Sequence, residues 1–247
     1  MGSLADARCL VTGGSRNLGR ALCVAFAREG ARIALTYHDD AGGAEATRRE
    51  IAAAGGAPPI VVQGSVTDAA HADAAVGAVV SAWGGLDVLV NNAAITQVLP
   101  FALVEEADWD RVMAVNVKGA YLFARAALRP MIRQKHGRIL NIGAFGQGRV
   151  LPAPIHYAAS KGALAGLTDA LAREVARHGI LVNLIDPGIL DRGLGRSAPA
   201  SRLAEYVEQH PAQRFGTPEE IARAAVWLVS SGNTFVTGAQ IPLDGGI

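Results

Sequence analysis

The sequence predicts an α/β fold: a Rossmann-type, doubly wound parallel sheet of about seven strands with helices on both faces. Three observations lead there. Short apolar, β-branched runs alternate with longer stretches of helical periodicity along the whole chain. Runs such as Val88-Leu89-Val90 are apolar without alternation, as strands covered on both faces require. A glycine cluster stands between the first run and the first helix, where sheets of this kind hold phosphates.

Taken in order, the expected strands are Cys9–Thr12, Ile33–Tyr37, Ile60–Gln63, Val88–Asn91, Arg138–Ile142, Leu181–Ile185 and Gln240–Leu243. Each is too short and too evenly apolar for an amphipathic helix. Between them the helical pattern covers Leu18–Glu29, Ala44–Ala54, Ala69–Trp83, Trp109–Gln134, Ala158–His178 and Pro218–Ser231. Residues 191–216 lack a strong pattern except for a short helical segment, Ala200–Gln209, framed by Gly193, Gly195, Pro199 and Pro211. That suits a mobile flap over a pocket, or a plain surface excursion. No linker, charge block or internal repeat divides the chain, so residues 1–247 read as one domain.

The 247 residues are 50% hydrophobic and 18% charged, which excludes a disordered chain. With 23 Lys and Arg against 22 Asp and Glu, the net charge is +1 and no basic stripe for nucleic acid is present. Cys9 and Cys23 lie in apolar segments, as small reduced core residues of a cytoplasmic protein would. No signal peptide is evident, Asp6 stands where an N-myristoylation motif needs Ser or Thr, and no uncharged run is long enough for a membrane. The six His are too scattered for a metal site.

The chemistry sits in a few short segments. Thr12-Gly13-Gly14-Ser15-Arg16-Asn17-Leu18-Gly19 runs from the first strand into the first helix, so its backbone can approach a pyrophosphate at a helix N-terminus. Tyr157 and Lys161 are four apart and share a helix face. A nearby ammonium favours the phenolate and lowers a tyrosine pKa from about 10, giving a general acid for a carbonyl or a base for an alcohol. Alone, such a pair is usually a solvated helix face. Asn116 shares an apolar stripe with Val112, Ala120 and Phe123 and must find partners, in the simplest case as a satisfied core amide.

In sum these segments resemble the short-chain dehydrogenase/reductase family, most closely its bacterial 3-oxoacyl-[acyl carrier protein] reductases and related ketoreductases. The glycine turn is similar to that family's nucleotide motif, with Asn17 at the middle glycine. Asn91-Asn92-Ala93-Ala94 looks like its Asn-Asn-Ala-Gly segment, and Tyr157-Ala158-Ala159-Ser160-Lys161 matches its Tyr-x-x-x-Lys signature. Pro187-Gly188, Arg214–Ile221, Thr237-Gly238 and Asp244-Gly245-Gly246 extend the likeness to the end of the chain. The resemblance implies Tyr157 as general acid and Lys161 as ribose ligand. Asn116 then holds a water in a proton relay to Lys161.

The same resemblance assigns Gly13, Ser15, Arg16, Asn17, Leu18, Gly19, Tyr37, His38, Ser65, Val66, Asn92, Ala93, Ala94, Pro187, Gly188 and Ile189 to the cofactor, with Tyr157 and Lys161. Sites preferring NAD carry an acid at the end of the second strand. Here that position is Tyr37, followed by His38, and Arg16 is free to pair with a 2′-phosphate, so the expected cofactor is NADP(H). Asp39 and Asp40 complicate this if the strand ends two residues later.

The family's serine, typically about 13 residues before the tyrosine, falls on Ala144. No hydroxyl residue occurs from Gly137 to His156. Loss of such a donor typically costs about 10²–10³ in turnover. Three outcomes stay open: a ketoreductase relying on Tyr157 and Lys161, a different reaction on a cofactor-bound intermediate, or a weakly active or noncatalytic subunit supporting a homologous partner. By family position Gln97, Ala144, Phe145, Gln147, Leu151, His156 and Leu190 are expected near a small-molecule or carrier-bound ketone, in a mainly apolar pocket. A homotetramer or homodimer is expected, packed through the two longest helices.

Overall fold

The computed structural model describes residues 2–144 and 153–247. Seven strands, β1 (Arg8–Val11), β2 (Arg32–Tyr37), β3 (Ile60–Gln63), β4 (Val88–Asn91), β5 (Gly137–Ile142), β6 (Ile180–Pro187) and β7 (Gln240–Leu243), form one sheet ordered β3-β2-β1-β4-β5-β6-β7. Every neighbouring pair is parallel. The strand order reverses between β1 and β4, and connections leaving those two strands diverge there. A crevice opens at their carboxyl ends.

Among the described residues eight α-helices cover the sheet: α1 (Asn17–Arg28), α2 (Ala41–Ala53), α3 (Ala69–Trp83), α4 (Glu106–Met113), α5 (Gly119–Gln134), α6 (Ile155–Val175), α7 (Ala200–Gln209) and α8 (Pro218–Val229). Successive strand residues enter opposite layers. Cys9, Val11, Ile33, Leu35, Val88 and Val90 pack with Leu22 and Phe26 of α1 and Ile221 and Ala225 of α8. Leu10, Ala34, Leu89, Ile139 and Val182 pack on the other face with Val76 and Val79 of α3 and Phe123 and Ala127 of α5. Burial on both faces is why these strands read as continuous apolar runs. Cys9 and Cys23 are buried free thiols whose pKa values burial pushes up.

The segment expected as one helix over Trp109–Gln134 is three pieces. It begins at Glu106, where the Asp108 carboxylate accepts the Glu105 N–H at 3.2 Å. A π-turn, Ala114–Lys118, then joins α4 to α5. Such a turn inserts one residue without moving the apolar stripe off the core, so side-chain spacing alone does not reveal it. α2 also starts earlier than expected, because Asp40 accepts the Gly43 N–H at 2.8 Å and caps it.

The 191–216 segment is pinned at its base. Tyr206 of α7 is fully buried, and its hydroxyl accepts the Ile189 N–H at 3.1 Å. Its ring stacks on Phe215 at 5.8 Å, and Leu190 bridges to Gly216. Leu203 and Ile247 complete this small cluster, which packs under the segment rather than within the main core.

Candidate active site

After β1 the chain turns through Thr12–Arg16 into α1. Gly13 (φ +66°) and Asn17 (φ +48°) both adopt left-handed backbone angles, which Asn tolerates better than other residues with side chains. Asn17 therefore keeps the turn that a glycine would make. At Gly19 nothing larger fits, because a Cβ would overlap the Gly13 carbonyl oxygen. Arg20 braces the turn from behind, donating from Nη2 to the Ser15 carbonyl at 2.7 Å, and the Thr47 hydroxyl donates to the Gly14 carbonyl at 2.9 Å. These bonds hold the turn in place, and the first turn of α1 brings the positive end of its dipole to the crevice.

Asn92, just beyond β4, ties that strand to the turn. Its Nδ2 donates to the carbonyls of Thr12 and Gly13 at 2.9 and 3.1 Å, and the backbone N–H groups of Asn92 and Ala93 donate to Thr12 Oγ1. Asn116, carried by the π-turn, plays a similar part deeper in. Its Oδ1 accepts the Ile95 N–H at 2.9 Å, and its Nδ2 donates to the Ile95 carbonyl and to Ser160 Oγ, both at 3.0 Å. Ser160 donates in turn to the Tyr157 carbonyl at 2.7 Å. Asn116 thus locks the segment after β4 to the helix that carries Tyr157 and Lys161, as a satisfied amide.

Lys161 is buried, and its Nζ donates to the Ile142 carbonyl at 2.7 Å while lying 5.5 Å from the Tyr157 ring centroid. Burial pulls its pKa down to about 8, against an upward pull from Asp186. The tyrosine departs from the sequence expectation. Burial pushes the Tyr157 phenol up rather than down, and the Asp186 charge adds to this. Burial is the larger effect, and the ammonium 5.5 Å from the ring centroid does not offset it. Tyr157 is therefore protonated at neutral pH.

A cavity of about 1220 Å³ runs along the crevice. Every residue expected to bind the cofactor, from Gly13 through Ile189, lies on its wall, with Ala144 and Leu190. Not all expected residues reach it. His156 is fully buried but is not a wall residue, and neither ring nitrogen has a partner among the described residues. Gln97 is likewise off the wall, and Phe145, Gln147 and Leu151 lie outside the described residues. Ser65 is on the wall, but its hydroxyl lies 2.8 Å from that of Thr67 and is shared with it. Asp39 also lines the cavity, whereas Asp40 is taken up as the α2 cap.

Some wall residues were missed by sequence reasoning. Val98, Phe101, Ile155 and Leu194 are exposed apolar groups at the mouth, where loops from three places in the chain meet. Arg111 and Lys118 were legible in principle, being seven residues apart on one helical face.

The geometry fits an elongated dinucleotide. The cavity is larger than the usual range of about 300–1,000 Å³ for small-ligand sites, leaving room for a second reactant. Gly13 and Gly19 leave the bare backbone that a pyrophosphate needs. Among the described residues no three His, Cys, Asp or Glu side chains gather as metal ligands, and no helix is long and apolar enough to cross a membrane.

Comparison with known proteins shows the family of the chain. A family profile described as enoyl-(acyl carrier protein) reductase matches residues 13–247. The chain is 36% identical over 242 residues to a 3-oxoacyl-[acyl-carrier-protein] reductase of Staphylococcus aureus, covering 96% of each. It is 38% identical over 250 residues to 2-(S)-hydroxypropyl-CoM dehydrogenase 3 of Xanthobacter autotrophicus, covering 96% of this chain and 94% of that one. A crystal structure of a dehydrogenase/reductase from Sinorhizobium meliloti superposes with a TM-score of 0.90 at 38% identity, over 98% of this chain and 95% of that one. This chain belongs to the short-chain dehydrogenase/reductase family, whose members are oxidoreductases using a nicotinamide dinucleotide.

Proposed function

We propose that this protein is an NADPH-dependent ketoreductase acting on a hydrophobic or acyl-thioester ketone, with Tyr157 as its general acid. The observation that carries this reading is the meeting of Tyr157, Lys161 and the glycine turn on one cavity wall. The kinship to a 3-oxoacyl-[acyl-carrier-protein] reductase supports the acyl-thioester class, and the apolar mouth supports a hydrophobic substrate. A nicotinamide dinucleotide held in this cavity would supply the hydride for the carbonyl carbon. The phenol of Tyr157 holds a proton at neutral pH and gives it to the substrate oxygen. Lys161, a cation below about pH 8, holds the ribose. Arg16, exposed and without an ion pair among the described residues, would pair with a 2′-phosphate; β2 ends at Tyr37 rather than at a carboxylate, and the Asp39 carboxylate lies on the wall two residues further on.

The proton that Tyr157 gives up must be replaced. Behind the main wall lies a second cavity of about 10 Å³, bounded by Asn91, Asn116 and Lys161 among others, and of about the size that holds one water. Asn91 Oδ1 faces no partner among the described residues. A water here links Lys161 to Asn116 and Asn91 and serves as the relay.

The second reading, a cofactor-binding subunit with weak or no turnover, is favoured by one observation: Ala144 stands on the catalytic wall where the family carries a hydroxyl. Assaying wild type, Tyr157→Phe and Ala144→Ser with NADPH and NADH against ketones including β-ketoacyl thioesters separates the two. Turnover lost in Tyr157→Phe supports the ketoreductase. Turnover absent from wild type and created by Ala144→Ser supports the subunit. The exposed Trp109, Tyr121 and Ile132 suit self-association as a dimer or tetramer.

A further inference from the structure

A carboxylate stands directly behind the catalytic wall, unused by the steps above. Asp186, on the penultimate residue of β6, is 6% exposed and is not a wall residue of the large cavity. Its Oδ1 accepts the backbone N–H of Ala144 at 2.9 Å, and its Oδ2 accepts the side-chain amide of Gln240 from β7 at 2.5 Å. A Cβ on Gly143 would overlap Asp186 Oδ1, so the carboxylate and the glycine before Ala144 require one another. Both oxygens receive N–H donors, which favours the ionised form.

We infer that Asp186 is a positioning residue for this centre, fixing the backbone of Ala144 and supplying the counter-charge that keeps Lys161 cationic inside the protein. The Lys161 ammonium has a neutral carbonyl as its hydrogen-bond partner, that of Ile142, which cannot balance a charge. Burial disfavours the ammonium, and Asp186 is the group that opposes burial. The groups acting on Asp186 come from several elements: Lys161 from α6, Asp244 from beyond β7, Gln240 from β7 and the Ala144 amide after β5. Burial is the largest influence and raises its pKa above the ordinary carboxylate value, with Asp244 adding to it; Gln240, the amide and Lys161 pull the other way and favour the ionised form. Asp186 acts on Tyr157 as well, adding to the burial that raises the phenol pKa. The consequence for turnover rests on the ketoreductase reading; the charge pairing does not.

The test reads Lys161 directly. The chain has three lysines, Lys118, Lys135 and Lys161, so ¹³Cε-lysine labelling gives three NMR signals, with Lys161→Arg as the assignment control. Asp186→Asn keeps the shape: its Oδ1 can accept from Ala144, and its Nδ2 can donate to Gln240 after an amide flip. The expected result is a fall of about one pH unit in the Lys161 midpoint, with Lys118 and Lys135 unmoved. A folded Asp186→Asn protein with an unmoved Lys161 midpoint overturns the inference.

If that variant does not fold, the reciprocal measurement decides. The Asp186 ¹³Cγ midpoint should rise by a similar amount in Lys161→Met, and no rise there overturns the pairing equally. Asp186→Ala removes the tether as well as the charge, and should weaken turnover beyond what Asp186→Asn does; equal activities overturn the tethering role. A shifted Lys161 in a protein that reduces no ketone overturns the ketoreductase reading and leaves the pairing standing. Ketone reduction with an unmoved Lys161 does the opposite.

Discussion

Lys161 Nζ donates to the carbonyl of Ile142 at 2.7 Å, two residues before Ala144. The end of β5 therefore holds the lysine and presents the wall residue two positions on. The Lys161 pKa near 8 gives a pH dependence with a definite sign. Below that value the ammonium is available to the dinucleotide; above it the charge is lost. In the free enzyme, kcat/KM for the cofactor should fall as pH rises through about 8, measured at constant ionic strength.

Tyr157→Phe removes the proton donor and leaves the cavity shape intact. Turnover should fall by about 10²–10⁴, while cofactor binding, followed by NADPH fluorescence, changes little. A parallel loss of binding would assign Tyr157 to cofactor anchoring instead.

Ala144→Ser adds a hydroxyl to the wall that carries Tyr157. Turnover should rise, by up to the roughly 10²–10³ that such a donor provides. An unchanged or lower kcat would mean that the centre is built around the alanine.

Arg16→Ser tests the cofactor. The KM for NADPH should rise about tenfold, the scale of one charge-assisted hydrogen bond at an exposed site, with the KM for NADH unchanged. Equal effects on both would place Arg16 at the pyrophosphate.

Asn17→Ala tests the turn. A left-handed non-glycine backbone costs about 1–2 kcal/mol, and Asn relieves part of it through its short polar side chain. Thermal unfolding should drop by about 2–4 °C in Asn17→Ala and remain level or rise in Asn17→Gly.

How much of this was legible before folding varies with the range of the interaction. The seven strands were readable in order because burial on both faces leaves an unbroken apolar run in each. The glycine turn was readable because its demands are local: Gly13, Asn17 and Gly19 are set by backbone angles and a neighbour six residues away. The break in the Trp109–Gln134 helix was not, since the π-turn leaves Val112, Asn116 and Ala120 buried on one stripe.

The amino-acid order settled the sheet, the glycine turn and the family, because each depends on short-range pattern. Tertiary structure decided the state of Tyr157 and Lys161. Spacing along one helix implied that Lys161 would lower the Tyr157 pKa, whereas burial raises it, and burial depends on what folds over a residue. Asp186 shows the same division. It is 42 residues from Ala144 along the chain, and only the pairing of β5 with β6 brings its carboxylate beneath that amide and within electrostatic reach of Lys161.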